Sequence, residues 1–165
     1  METHRILQAV VACLVLSSIP AIAAEPGVSM SVKAVSGGTN RKGKTAVDSR
    51  LLRIELENRS DKELAGLKVE WQIYGKDIQN HNKMVDEKGS RTVKLPAKGR
   101  MTVQSDPAKF AETEGGSKTV GKGKNKRTVG TPDTGRAYAG YVVTVKLNGK
   151  VIAEEATAGL GKGSR

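Results

Sequence analysis

Apolar side chains fall on every second position along two neighbouring stretches of the chain, Leu51 to Glu57 and Leu67 to Gly75. In the first, Leu52, Ile54 and Leu56 alternate with Arg53, Glu55 and Glu57; in the second, Leu67, Val69, Trp71 and Ile73 alternate with Lys68, Glu70, Gln72 and Tyr74. A period of two marks half-buried antiparallel strands, and the turn formers between Asn58 and Gly66 join the pair. The same alternation marks Val28 to Val35, Arg91 to Leu95, Met101 to Ser105, Ala139 to Leu147 and Lys150 to Ala156, with a weaker strand near Met84. Pro96 to Gly99 reads as a hairpin or bulged corner between the Arg91 and Met101 runs. Asn148-Gly149 between two strands is a hairpin signal, because a type I′ turn needs positive φ at both central residues. A two-residue loop there places Val145 opposite Ile152 and Lys146 opposite Val151. Asp106-Pro107 has the form of a helix cap and first turn, so Pro107 to Ala111 is expected to form one helical turn that tucks Phe110 inward.

These elements predict an all-β protein: one antiparallel β-sandwich of about seven strands over 28–157, because a sheet with one apolar face needs a second layer. No amphipathic helix of three turns is present beyond the amino-terminal run to supply that layer. Trp71, the only Trp, is expected at the centre of the core. Two segments break the pattern. Gly37 to Lys44 reads as a glycine-bearing loop. Gly115 to Arg136, a low-complexity basic insert, reads as a long loop outside the core. Residues 158–165 read as a flexible tail.

The amino terminus changes where this domain is expected to reside. Met1 to Arg5 ends in a base, Ile6 to Ile19 is apolar, and Ala21 and Ala23 follow Pro20. That is the plan of a secretory signal peptide over 1–23, with cleavage after Ala23 or alternatively Ala24. The expectation is an exported, periplasmic or secreted domain with no transmembrane span. Retention as an anchor, and lipidation at Cys13 in the apolar run, are the disfavoured alternatives. Removing Cys13, the only cysteine, leaves no thiol for disulfides, nucleophilic catalysis or thiolate metal binding.

Composition adds a strong charge. Twenty-eight Lys and Arg stand against seventeen Asp and Glu, a net charge of +11, which favours an anionic polymer, glycan or envelope component as partner. Aromatic residues make up 3 % of the chain, so few rings are free to stack on bases and nucleic acid is disfavoured. The bases concentrate in the two irregular segments. The candidate contacts are Arg41, Lys42 and Lys44 in the first, and Lys118, Lys122, Lys124, Lys126 and Arg127 in the second.

Gly38 to Thr45 also matches the phosphate-loop pattern G-x-x-x-x-G-K-[ST]. That chemistry needs a helix after the loop, its N-terminus aimed at the phosphate, whereas a strand is expected here. A nucleotide-binding enzyme is therefore the alternative, and an envelope protein without a ligand is another. His81, in an Asn-rich turn, reads as a solvated residue. The acidic pairs Glu55 and Glu57, and Asp86 and Glu87, read as exposed. Asn58-Arg59-Ser60 fits a glycosylation acceptor and equally a turn. No catalytic, cofactor or metal residues are expected.

Arg53 to Asn58, Leu64 to Trp71 and Gly140 to Val143 give the chain a superfold-level resemblance to the immunoglobulin and fibronectin type III sandwiches, and to a loose group of exported bacterial proteins of unknown function. The resemblance implies an immunoglobulin-like architecture. It departs from the antibody pattern in lacking a cysteine pair beside Trp71, and it carries no activity, because this superfold hosts many functions.

Overall fold

The computed structural model describes residues 27 to 160. The segment read as a signal peptide, Cys13 with it, and residues 161 to 165 of the expected tail lie outside the described residues. No helix among those described is long and apolar enough to cross a membrane.

The described residues are all-β and their sheets are antiparallel, with ten strands among them rather than seven: β1 (Val28–Lys42), β2 (Thr45–Asn58), β3 (Leu64–Asp77), β4 (Lys83–Leu95), β5 (Arg100–Gln104), β6 (Ala108–Thr113), β7 (Gly116–Val120), β8 (Arg127–Thr131), β9 (Thr134–Leu147) and β10 (Lys150–Ala156). One layer runs β1, β2 and then β5 and β6, which lie end to end along the same edge of β2. The other runs β10, β9, β3, β4. β9 is common to both: Thr134 and Gly135 pair with β6, and Arg136 to Lys146 pair with β3. The result is a sandwich-like fold whose two layers are continuous through one strand.

The alternating side chains meet between the layers. Leu52, Ile54, Leu56, Leu67, Val69, Ile73, Leu95, Val103, Phe110, Val143 and Val145 are all at most 1 % exposed, and each such side chain contributes about 1.5 to 3 kcal/mol. Trp71 joins them at 4 % exposure and pairs with Val143 on one side and Gly89 on the other. At the side of the sandwich where β1 meets β10, Tyr141 donates its hydroxyl to Glu155 Oε1 at 2.7 Å and to the Val32 carbonyl at 3.3 Å, while the Val32 N–H donates to Glu155 Oε2 at 3.2 Å.

Several expectations need correction. The Arg91 run and the weak strand near Met84 are one strand, β4. The Pro96 to Gly99 turn is no hairpin, because β4 pairs with β3 while β5 pairs with β2 in the other layer. Pro107 does not open a helical turn. Ala108 to Thr113 is the strand β6, whose Ala108 to Thr113 backbone pairs with Arg50 to Thr45; Phe110 is buried as expected, at 1 % exposure, through strand alternation instead. At Asn148-Gly149 both φ angles are positive, 51° and 79°, and Val151 faces Lys146. A bulge at Ile152, however, sets Ala153 opposite Val145. Of the expected tail, Leu160 folds back and donates its N–H to the Thr157 carbonyl at 3.0 Å.

Candidate functional site

The segment read as a loop at Gly37 to Lys44 is the end of a hairpin. β1 continues to Lys42 and turns at Gly43 and Lys44 into β2, with a bulge at Ser36 to Gly38. Its polar sequence hides it from a search for alternation, but backbone pairing needs only an adjacent strand with free N–H and C=O groups. The phosphate-loop pattern Gly38 to Thr45 therefore spans both arms of an antiparallel hairpin. Where a helix N-terminus would face a phosphate, β2 begins at Thr45.

The basic insert is likewise folded. β7 and β8 form a two-stranded ladder of their own, Gly116 opposite Thr131 through Val120 opposite Arg127, with one turn of 3-10 helix at Gly123–Asn125 between them. As expected, this segment stays out of the core: every residue from Gly121 to Thr134 is exposed. The register gives the hairpin two unlike faces. Side chains alternate, so Lys118, Val120, Arg127 and Val129 share one face, and Ser117, Thr119, Thr128 and Gly130 share the other. Lys122, Lys124 and Lys126 occupy the tip. No carboxylate occurs between Gly115 and Pro132, and among the described residues none of these five bases makes an ion pair.

The two basic segments, some seventy residues apart in sequence, meet at one end of the sandwich. Glu114 donates its N–H to the Lys44 carbonyl at 2.9 Å. Arg41 forms an ion pair with Glu114, and Lys44 Nζ lies 3.5 Å from the Gly115 carbonyl oxygen. Asp133 closes the root from the far side, accepting the Gly115 N–H at 2.7 Å. Arg41 and Lys44, though exposed, thus lie against the root of the projecting hairpin. Lys42 is the base of that trio that makes neither an ion pair nor a side-chain hydrogen bond among the described residues.

One base absent from the sequence reading belongs here. Lys109 sits on β6, in a segment expected to be helical, and the strand register aligns it with Ser49 of β2 and Gly38 of β1 on the outer face of the layer. Lys42 lies on that same outer face, opposite Thr45. Reading Ala108, Lys109 and Phe110 as alternating would have revealed it; the Asp-Pro cap signal masked the alternation.

The remaining singled-out residues are structural or solvated. Asn58 is buried at 1 % exposure, donates through Nδ2 to the carbonyls of Lys62 at 2.8 Å and Pro96 at 2.9 Å, and accepts the Ser60 N–H at 3.0 Å. Its amide nitrogen is not presented for glycosylation in this fold. His81 is exposed at the end of a turn held by Asp77, whose Oδ1 accepts the N–H groups of Gln79 at 2.9 Å and Asn80 at 3.0 Å. Those two bonds hold the Asp77 carboxyl below its ordinary range. Glu57 is lowered chiefly by its hydrogen bond from Arg100, and Glu70 by those from Lys146 and Lys68. Asp86 is not exposed; its carboxylate lies between the layers, paired with Arg136. Among the described residues no group of three or more His, Cys, Asp or Glu is placed to hold a metal ion.

No protein-family model matches the chain, and no curated protein matches it. Among solved structures, one titled "X-ray structure of Northeast Structural Genomics Consortium target SoR45" aligns over 82 % of this chain and 90 % of its own, at 12 % sequence identity and a TM-score of 0.38.

Proposed function

We propose that the chain is an exported, non-catalytic module of immunoglobulin-like type that binds an anionic polymer, glycan or envelope component through the β7–β8 hairpin and the adjoining Lys42. The observation that carries this reading is the hairpin itself: Lys118, Lys122, Lys124, Lys126 and Arg127 on a projecting element with no acidic residue among them and no share in the core. A segment outside the core that concentrates one sign of charge raises the local concentration of anions and steers their approach. The export reading rests on the leader-like 1–23. The immunoglobulin-like reading rests on two antiparallel layers closed over a Trp of the third strand. The non-catalytic reading rests on the absence of a cysteine and the presence of a single histidine, His81, after that leader.

Elution from a heparin column in a salt gradient tests the proposal. The variant neutralising Lys122, Lys124, Lys126 and Arg127 should elute at clearly lower salt than a control neutralising four exposed bases elsewhere, since exposed charge–charge attraction is screened by salt. Equal elution of the two variants would remove the hairpin as the contact, and a wild type that passes through unretained at low salt would leave an envelope protein without an anionic ligand.

A further inference from the structure

Beside the hairpin root, on the outer face of the β1–β2–β6 layer, lies an open groove of about 710 Å³ lined by Gly37, Gly38, Thr39, Asn40, Lys42, Thr45, Val47, Ser49 and Lys109. Its origin is in the strands. The bulge at Ser36 to Gly38 brings two residues without side chains into a row with Ser49 and Lys109, and the next row outward holds Asn40 and Val47. The floor is therefore low, and two long basic side chains, both exposed, stand on its rim.

We infer that this groove is a subsite for a tetrahedral oxyanion, a phosphate or sulfate group, with Lys42 and Lys109 as its charge partners; the inference rests on the anion-binding reading above and gives it a ligand chemistry. Three features of the lining support that choice. No carboxylate lines the groove; the nearest acid by register, Asp48, alternates onto the inner face and is already occupied, with Arg50 Nε at 2.7 Å from one oxygen and Thr39 Oγ1 at 3.3 Å from the other. No arginine lines it either. A planar guanidinium fork binds flat carboxylates and phosphates alike in two parallel bonds, whereas an ammonium is a compact point charge with three rotatable donors that can meet different corners of a tetrahedral anion. The Ser49 hydroxyl and the Asn40 amide have no hydrogen-bond partner among the described residues and supply neutral donors at the floor, while Thr45 Oγ1 is engaged with Thr113 Oγ1 at 2.9 Å. Finally, no aromatic ring lines the groove, so a nucleobase or a sugar ring finds nothing to stack on. The group recognised is the oxyanion and not the body that bears it.

The test is an amide NMR titration of the purified chain with four probes: inorganic phosphate, inorganic sulfate, a sulfated disaccharide, and a uronic-acid disaccharide of equal charge. The two inorganic ions separate recognition of a free anion from recognition of the same group on a larger carrier. The expected result is a saturable shift of the Gly37, Gly38 and Ser49 amides with phosphate, sulfate or the sulfated disaccharide, and clearly weaker binding of the uronic-acid disaccharide, whose carboxylates offer two acceptor oxygens each where the oxyanion offers three or more to the Lys, Ser49 and Asn40 donors. Lys42→Gln with Lys109→Gln should weaken oxyanion binding by about tenfold or more, at an unchanged Trp71 emission maximum that certifies the fold. The hairpin variant of the heparin experiment should titrate like wild type at these amides. Equal response to the carboxylated probe, undiminished binding by the double variant, or silence at these three amides would overturn the subsite. Silence there together with hairpin-dependent heparin retention would do so while leaving the broader anion-binding reading intact.

Discussion

Gly89 is a glycine because Trp71 is large. A Cβ built on Gly89 would lie 2.5 Å from Trp71 Cζ2 and 2.9 Å from Nε1, closer than any carbon contact tolerates, so the indole depends on a missing side chain across the ladder. Gly89→Ala should cost about 1 to 3 kcal/mol, the usual penalty for overfilling a packed core. Urea denaturation followed by Trp71 emission checks this. A variant as stable as wild type would mean that the indole sits elsewhere. Asn58 illustrates the opposite case: its short amide side chain, itself buried, ties the end of β2 to the Lys62 and Pro96 carbonyls, which also accept from Ser60 Oγ and from the Gly99 N–H, so the 59–63 turn and the β4–β5 corner are held to one residue. Both roles are geometric. The sequence offered Trp71 as a core residue by alternation, but it offered no reason to connect it with a glycine eighteen positions away, because that pairing is a matter of register between β3 and β4.

At the scale of elements, the β7–β8 hairpin is separable. It forms its own ladder, and no core residue belongs to it. Excising residues 117–130, with Gly116 joined to Thr131, should leave the melting temperature close to that of wild type, since shortening an exposed loop changes closure entropy by only about 1 kcal/mol or less. A collapsed melt would show that the hairpin shields part of the sandwich. What the sequence revealed among the elements follows a physical division. β2, β3 and β9 were legible because one face of each is buried, and burial writes a period of two into the side chains; β10, with no fully buried residue, was legible through the Asn148-Gly149 turn that returns the chain. The distal half of β1, and β7 and β8, were not, because both faces of these strands meet water and only their backbones are satisfied by pairing. β4 was split in two by its Gly89 and its charged residues, which suit an edge strand. The candidate site divided in the same way. Its bases could be counted from the chain, but their union at one end, the contacts of Arg41 and Lys44 with the hairpin root, and the arrival of Lys109 depend on which strands lie side by side.

At the scale of the whole molecule, titration should limit stability on both sides of neutrality. Glu70 is lowered below its ordinary 4.5 by hydrogen bonds from Lys146 and Lys68, and Glu57 and Asp77 are lowered as well. A lowered carboxyl means that the unfolded chain binds more protons, so this contribution is present above about pH 5 and is lost as pH falls through 4.5 and below. Tyr141 is shifted the other way, upward from 10.0, by burial first and then by its bond to Glu155, and Tyr138 is raised by burial. A raised tyrosine means that the folded chain holds the proton longer, so its contribution is intact below pH 10 and is lost as pH rises beyond it. Stability measured by urea denaturation should therefore be flat from about pH 5 to 9 and fall on either side. Tyr141→Phe should be less stable than wild type at pH 7 and should close that gap as pH is raised past 10; a gap that stays constant to pH 11 would exclude Tyr141 from the alkaline loss.

The strand common to both layers has a mechanical consequence. β9 carries hydrogen bonds to β6 through its first residues and to β3 along most of the rest, so the two layers cannot part along their apolar interface without tearing a ladder end-on. The two ends of the domain lie on β1 and β10, so a pull between them is borne first by the β1–β2 and β9–β10 ladders and reaches the seam at β9 only after one of these has given way.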